Sequence, residues 1–83
     1  MSINHLLKTP VEIYGNEEKV ISTTASVQQG IIFLKDVDVR QLDIIKVIPT
    51  KQEFEVIDHP HKQIDPNTNR ILYIEAKVRK SSG

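Results

Sequence analysis

Ile71-Leu72-Tyr73-Ile74-Glu75-Ala76-Lys77-Val78-Arg79 is the stretch that decides the fold. Leu72, Ile74, Ala76 and Val78 alternate with Tyr73, Glu75, Lys77 and Arg79. Successive side chains of a strand point to opposite faces. The sustained period of two therefore predicts a strand with one buried face and one face turned to solvent or a partner.

Upstream, Gln52-Glu53-Phe54-Glu55-Val56-Ile57 alternates in the same way, with Phe54 and Val56 together on one side. Asp43-Ile44-Ile45-Lys46-Val47-Ile48 precedes it, and Pro49-Thr50-Lys51 between them supplies a turn, because proline presets φ for turn entry. The two segments predict a hairpin. Ile31-Ile32-Phe33-Leu34 is a β-branched and aromatic run closed by Lys35-Asp36, and Phe33 and Phe54 are expected to fill the core. Val11-Glu12-Ile13-Tyr14 reads as a short strand, Gly15-Asn16-Glu17-Glu18 as its turn, and residues 19–24 as the returning strand. Residues 25–30 either extend that strand or form a bulged connection. Residues 58–70 read as a polar loop, in which Asp65-Pro66-Asn67-Thr68-Asn69 has the chemistry of a tight turn.

The prediction is an all-β chain, a small antiparallel β-barrel or sandwich of five to six strands, since closing a sheet removes its exposed edges. One domain is expected, with residues 1–9 as a flexible N-terminal arm, 10–80 as the barrel core and 81–83 as a frayed end.

Lys plus Arg and Asp plus Glu are balanced at 11 each, so the formal net charge is zero. A module that grips nucleic acid through its phosphates normally carries a basic surplus, so the balance counts against DNA binding as the main role. It also favours association over self-repulsion. There are no cysteines, which excludes disulfides and thiolate zinc sites. A small domain without these supports commonly draws on an oligomeric partner. No apolar run approaches the roughly 20 residues needed to span a bilayer. The N-terminal residues lack the apolar core of a signal peptide. A soluble protein that stays in the compartment where it is made is expected.

Catalytic chemistry finds little footing. His59-Pro60-His61 is the one histidine cluster, and a metal site there needs further ligands from Asp58, Asp65 or His5. Two surface loop histidines flanking a proline are the preferred interpretation. Asp36, Asp38 and Asp43 gather around a turn without the glycine of a calcium loop, and solvated positions at a strand end explain them better. No cysteine nucleophile exists, no serine sits in a nucleophile elbow, and Gly15, Gly30 and Gly83 are isolated. No cofactor is expected, and no enzymatic role. Tyr73 shares the polar face of its strand with Lys77 and Arg79, a hint of single-strand nucleic-acid binding. A tyrosine lying in a subunit contact is the plainer interpretation.

Five motifs occur in a telling order. They are Asp36-Val37-Asp38-Val39-Arg40, Leu42-Asp43, Phe54-Glu55-Val56, Asp65-Pro66-Asn67-Thr68-Asn69 and Glu75-Ala76-Lys77-Val78-Arg79. Together they resemble the core pattern of the head–tail joining (stopper, or head-completion) proteins of tailed bacteriophages. Val11-Glu12-Ile13-Tyr14 resembles that family's opening strand. The likeness covers about two-thirds of the chain, from the handful of motifs taken in order rather than from any single one. Leu42 and Asn69 stand where the pattern has glycine.

The resemblance implies a virion structural protein at the head–tail junction, made in the bacterial host cytoplasm. It implies a homo-oligomeric ring, dodecameric if it follows the portal, seated below the portal and adaptor (connector) protein. Such a ring closes the DNA channel, passes packaged DNA without reading its sequence, and docks the tail terminator protein. Partner contacts are expected from Gly15, Asn16 and Glu17 in the first turn, and from Lys62, Asp65, Arg70 and Tyr73 around the last. The alternatives are another small tail-completion protein, or a small barrel that binds nucleic acid or peptide.

Overall fold

The computed structural model describes residues 7–81, and every regular element in them is a strand. These are β1 (Thr9–Tyr14), β2 (Val20–Gln28), β3 (Ile31–Leu34), β4 (Ile44–Val47), β5 (Gln52–Val56), β6 (His61–Ile64) and β7 (Ile71–Lys80). Neighbours run β3-β2-β1-β4-β5-β7-β6, all antiparallel, and β3 also pairs with β7. That last pairing closes six strands into a barrel and leaves β6 as a seventh strand attached outside the closure.

Register explains what fills the barrel. Val11 faces Val47, Ile13 faces Ile45, Leu34 faces Ile74 and Val56 faces Val78 across neighbouring strands. All eight are buried, joined by Val39 from the connection between β3 and β4. Ala25 lies opposite Leu34, and Ala76 lies opposite Ile32. Pairing small with large side chains lets the layers interdigitate within a narrow interior. Each fully buried Ile, Leu or Val contributes about 1.5–3 kcal/mol relative to exposure. The alternation expected along β7 holds for Ile74, Ala76 and Val78, whereas Leu72 lies beyond the β3 pairing and is exposed.

The hairpin of β4 and β5 forms as expected, and Lys51 donates its N–H to Val47 O with φ 59°. Three expectations change. Phe33 is not in the core: Ile32 and Leu34 point inward, so Phe33 stands on the outer face and packs edge-on against Tyr73. Phe54, opposite Ile45, does pack against the core. The segment expected as a polar loop contains β6, which forms because β7 offers it a template, not because its own sequence alternates. The proposed arm is shorter than residues 1–9, since Leu7 is buried and Thr9 already belongs to β1. Residues 1–6 of the arm lie outside the described residues. Residues 25–28 extend β2 without interruption.

Candidate interaction surface

Strand directions gather the turns of interest at one end of the barrel. β1, β3 and β5 all run toward this end, and β2, β4 and β7 start from it. The β1–β2 turn and residues 35–43 therefore share one rim, and the β6–β7 turn projects past that rim on β6 and residues 71–73 of β7. Gly15, Asn16 and Glu17 come from the first of these, and Asp65 and Arg70 from the last.

The β1–β2 turn is built against backbone preference. Lys19 N–H donates to Asn16 O at 3.2 Å, and Gly15 N–H donates to Lys19 O at 3.1 Å. The two central residues, Glu17 and Glu18, have φ of 60° and 61°. Two consecutive positive φ values match the twist of the flanking strands, which is why Asn-Gly is the usual choice there. An L-residue with a Cβ loses roughly 1–2 kcal/mol in this conformation. Glu17 and Glu18 are both exposed.

Beside this turn lies a small polar node that sequence reasoning did not foresee. Asp43 was expected to be solvated with Asp36 and Asp38, yet it is only 7% exposed. Its carboxylate accepts hydrogen bonds from Lys19 Nζ and, at 2.9 Å, from Arg40 N–H. Lys19 Nζ also donates to Asp38 O at 3.0 Å. To reach Asp43, the lysine chain passes over Gly15, where an added Cβ would stand 2.5 Å from Lys19 Cε and 2.9 Å from Asp43 Oδ1. Gly15 is thus a packing requirement of the node. The node ties the β1–β2 turn to the β3–β4 connection, so that Asn16, Glu17, Lys19, Asp38, Arg40, Gln41 and Asp43 line one shallow depression. Asp36 and Asp38 remain exposed, and Asp38 accepts from Arg40 Nε at 3.2 Å.

Leu42 lies next to the node. It has φ 76° and is 69% exposed, so it combines a strained backbone with an apolar side chain in water. Its N–H donates to Val56 O at 2.8 Å, while Val56 N–H returns a bond to Asp43 O at 2.9 Å. This reciprocal pair fixes the turn whatever the residue's own preference.

The β6–β7 turn is held by Asp65. Its Oδ1 accepts the Asn67 N–H at 2.9 Å, its carbonyl accepts the Asn69 N–H at 2.8 Å, and its own N–H donates to Arg70 O at 2.8 Å. Asn69 takes φ 59°, a value asparagine tolerates. Asp65 therefore shapes the loop, and Arg70 and Lys62 are its exposed charges. Lys62 lies on β6 opposite Ile74, and the ladder shifts between Gln63 and Ile64. Tyr73 is half-buried, its ring centroid 5.6 Å from that of Phe33 at an interplanar angle of 81°.

His59 and His61 border a depression with Asp58, Glu75 and Lys77, and His61 lies opposite Glu75. Among the described residues no group of three or more His, Asp or Glu side chains is placed to hold a metal ion. His5 lies outside them. Tyr14 donates to Glu12 Oε1 at 2.6 Å, and this bond, with the nearby Glu12 and Glu53 charges, raises its phenol above 10.0.

No protein-family model, curated protein or solved structure matches the chain.

Proposed function

We propose that this protein is a structural, non-catalytic component of a tailed-phage virion, assembled as a ring at the head–tail junction. The ring sits below the portal and adaptor, closes the DNA channel, and presents the docking surface for the tail terminator. The observation that carries this proposal concerns the backbone. Leu42 and Asn69 replace the two glycines of the head–tail joining pattern, and both adopt the positive φ that glycine accommodates most readily, 76° and 59°. On this reading the two turns keep a backbone conformation that glycine would adopt without strain. A closed barrel with one strand left outside the closure also suits a ring subunit, since an unpaired edge can accept a neighbour's strand.

Electron microscopy of lysates from the parent phage, with this gene deleted, tests the proposal. Separate heads and finished free tails, with heads empty or leaking DNA, are the expected outcome. Normal infectious particles would refute it.

One observation favours a nucleic-acid-binding barrel as a second interpretation. Phe33 joins Tyr73 on the outer face, in a strip that also holds Lys77 and Arg79. Arg79, however, is paired with Glu55 at 2.8 Å, and Glu75 lies within the same strip. Single-strand binding that weakens steeply with salt would favour this second role.

A further inference from the structure

The barrel closes unevenly. β3 covers residues 25–28 of β2, while residues 20–24 of β2 pair with β1 alone. β6 pairs with β7 alone. Among the described residues these are two of the sheet edges left without a partner strand, and unpaired edges are templates for another strand. Each open edge also carries an exposed β-branched residue, Val20 on β2 at 55% and Ile64 on β6 at 53%.

We infer that β6 of one copy of this chain pairs antiparallel with residues 20–24 of β2 in the next copy, setting Ile64 against Val20. The inference names the subunit contact of the ring proposed above and rests on that proposal for ring closure. Direction supports it: β6 runs toward the rim and β2 runs away from it. Two copies standing the same way up, as in a cyclic ring, bring these edges together antiparallel. The two edges differ, so the contact is head-to-tail and propagates until it closes.

Charge supports it as well. With Ile64 opposite Val20, the 65–70 turn of one copy falls beside the 16–19 turn of the next. Arg70, exposed, then meets Glu17 and Glu18, which are exposed and form no ion pair among the described residues, Lys19 being held by Asp43. Asp65, already bonded to the Asn67 N–H, falls beside that lysine. Lys62 and the irregular ladder at Gln63/Ile64 guard β6 against indiscriminate pairing, as charges and bulges do on natural edges. Opposite uncharged Ser22, Lys62 meets no like charge.

The absence of cysteine gives a clean background for cross-linking. The full chain carrying both Val20→Cys and Ile64→Cys is concentrated under mild oxidation and resolved on a non-reducing gel. A ladder of disulfide-linked multimers is expected. The Ile48→Cys/Ile64→Cys chain, whose first cysteine lies at the opposite end of the barrel, is expected to give none. Arg70→Glu in the Val20→Cys/Ile64→Cys background should lose the ladder, and adding Glu18→Arg should restore it. A missing ladder, or one equally strong with Ile48→Cys, would overturn the inference. So would disulfide dimers from Ile64→Cys alone, which would indicate a two-fold contact of β6 with itself. If the ladder fails while gene deletion still leaves separate heads and tails, the junction role stands and this contact is wrong. If the ladder forms while deletion leaves normal particles, the contact stands and the junction role is wrong.

Discussion

Replacing Leu42 by glycine should stabilise this protein, although it deletes a large apolar side chain. At φ 76° the leucine backbone loses roughly 1–2 kcal/mol relative to a residue indifferent to the sign of φ. Glycine removes that strain but widens the unfolded ensemble, which costs about 0.4–1 kcal/mol. The side chain is 69% exposed, so little burial is forfeited. Both hydrogen bonds that fix the turn, Leu42 N–H to Val56 O and Val56 N–H to Asp43 O, belong to the backbone and survive. The net expectation is a gain of about 0.5–1 kcal/mol, or a rise in Tm of about 2–8 °C for a domain of this size. Leu42→Ala is the control: it keeps a Cβ at positive φ, so it should leave Tm near that of the wild type. Thermal and urea unfolding of the three proteins, with equal m-values, gives the answer. If Leu42→Gly proved no more stable than Leu42→Ala, the strain assigned to this turn would be wrong, and with it the backbone support for the family resemblance.

Other outcomes follow from the same geometry. Glu17→Asn with Glu18→Gly supplies the turn with its preferred residues and should raise stability by about 1–2 kcal/mol in urea unfolding. Asp43→Ala strands Lys19 and the Arg40 N–H in a largely buried node, and should cost about 3 kcal/mol by the same assay. Thr24 Oγ1 is buried with no hydrogen-bond partner among the described residues, so Thr24→Val should stabilise by about 1 kcal/mol, read as a higher urea midpoint. The Tyr14 phenol, raised from 10.0 chiefly by its bond to Glu12, binds its proton more tightly folded than unfolded. Its contribution to stability is therefore present below about pH 10 and lost as the pH climbs through the raised value. Ultraviolet titration should show Glu12→Gln lowering that value. Replacing Lys62, Asp65 and Arg70 together by alanine should block head–tail joining in complementation while circular dichroism still reports a folded barrel.

The strands were legible where chemistry alternated, in β5 and β7, because burial of one face imposes period two. Phe33 was misplaced because Ile31-Ile32-Phe33-Leu34 is apolar throughout and carries no parity of its own. Its pairing with β7, through Leu34 opposite Ile74, decides which residues point inward. β6 was missed because an edge strand satisfied by backbone bonds need not hide a face, and His61-Lys62-Gln63-Ile64 has none to hide. Asp43 looked solvated because its cation, Lys19, is distant in sequence and arrives only when β1 and β4 pair. The positive φ of Leu42 carries no signal in its own residue type, since leucine seldom adopts it. The turn chemistry of Asp65 and Asn69, by contrast, was readable directly, since both side chains act within a few residues of their own position.

The placement of β7 also bears on how the protein is made. Without it, β3-β2-β1-β4-β5 is an open sheet whose two outer strands, β3 and β5, are the two that β7 later joins. At roughly 5–20 residues per second, synthesis takes several seconds to travel from Leu34 to Lys80. Throughout that interval the apolar interior of a half-built barrel lies uncovered, and further time passes while the ribosome tunnel still holds the final strand. Crowded polysomes translating this message would bring such open sheets close together. Co-translational chaperones, or a slow pause late in the reading frame, would matter more for yield than the stability of the finished barrel.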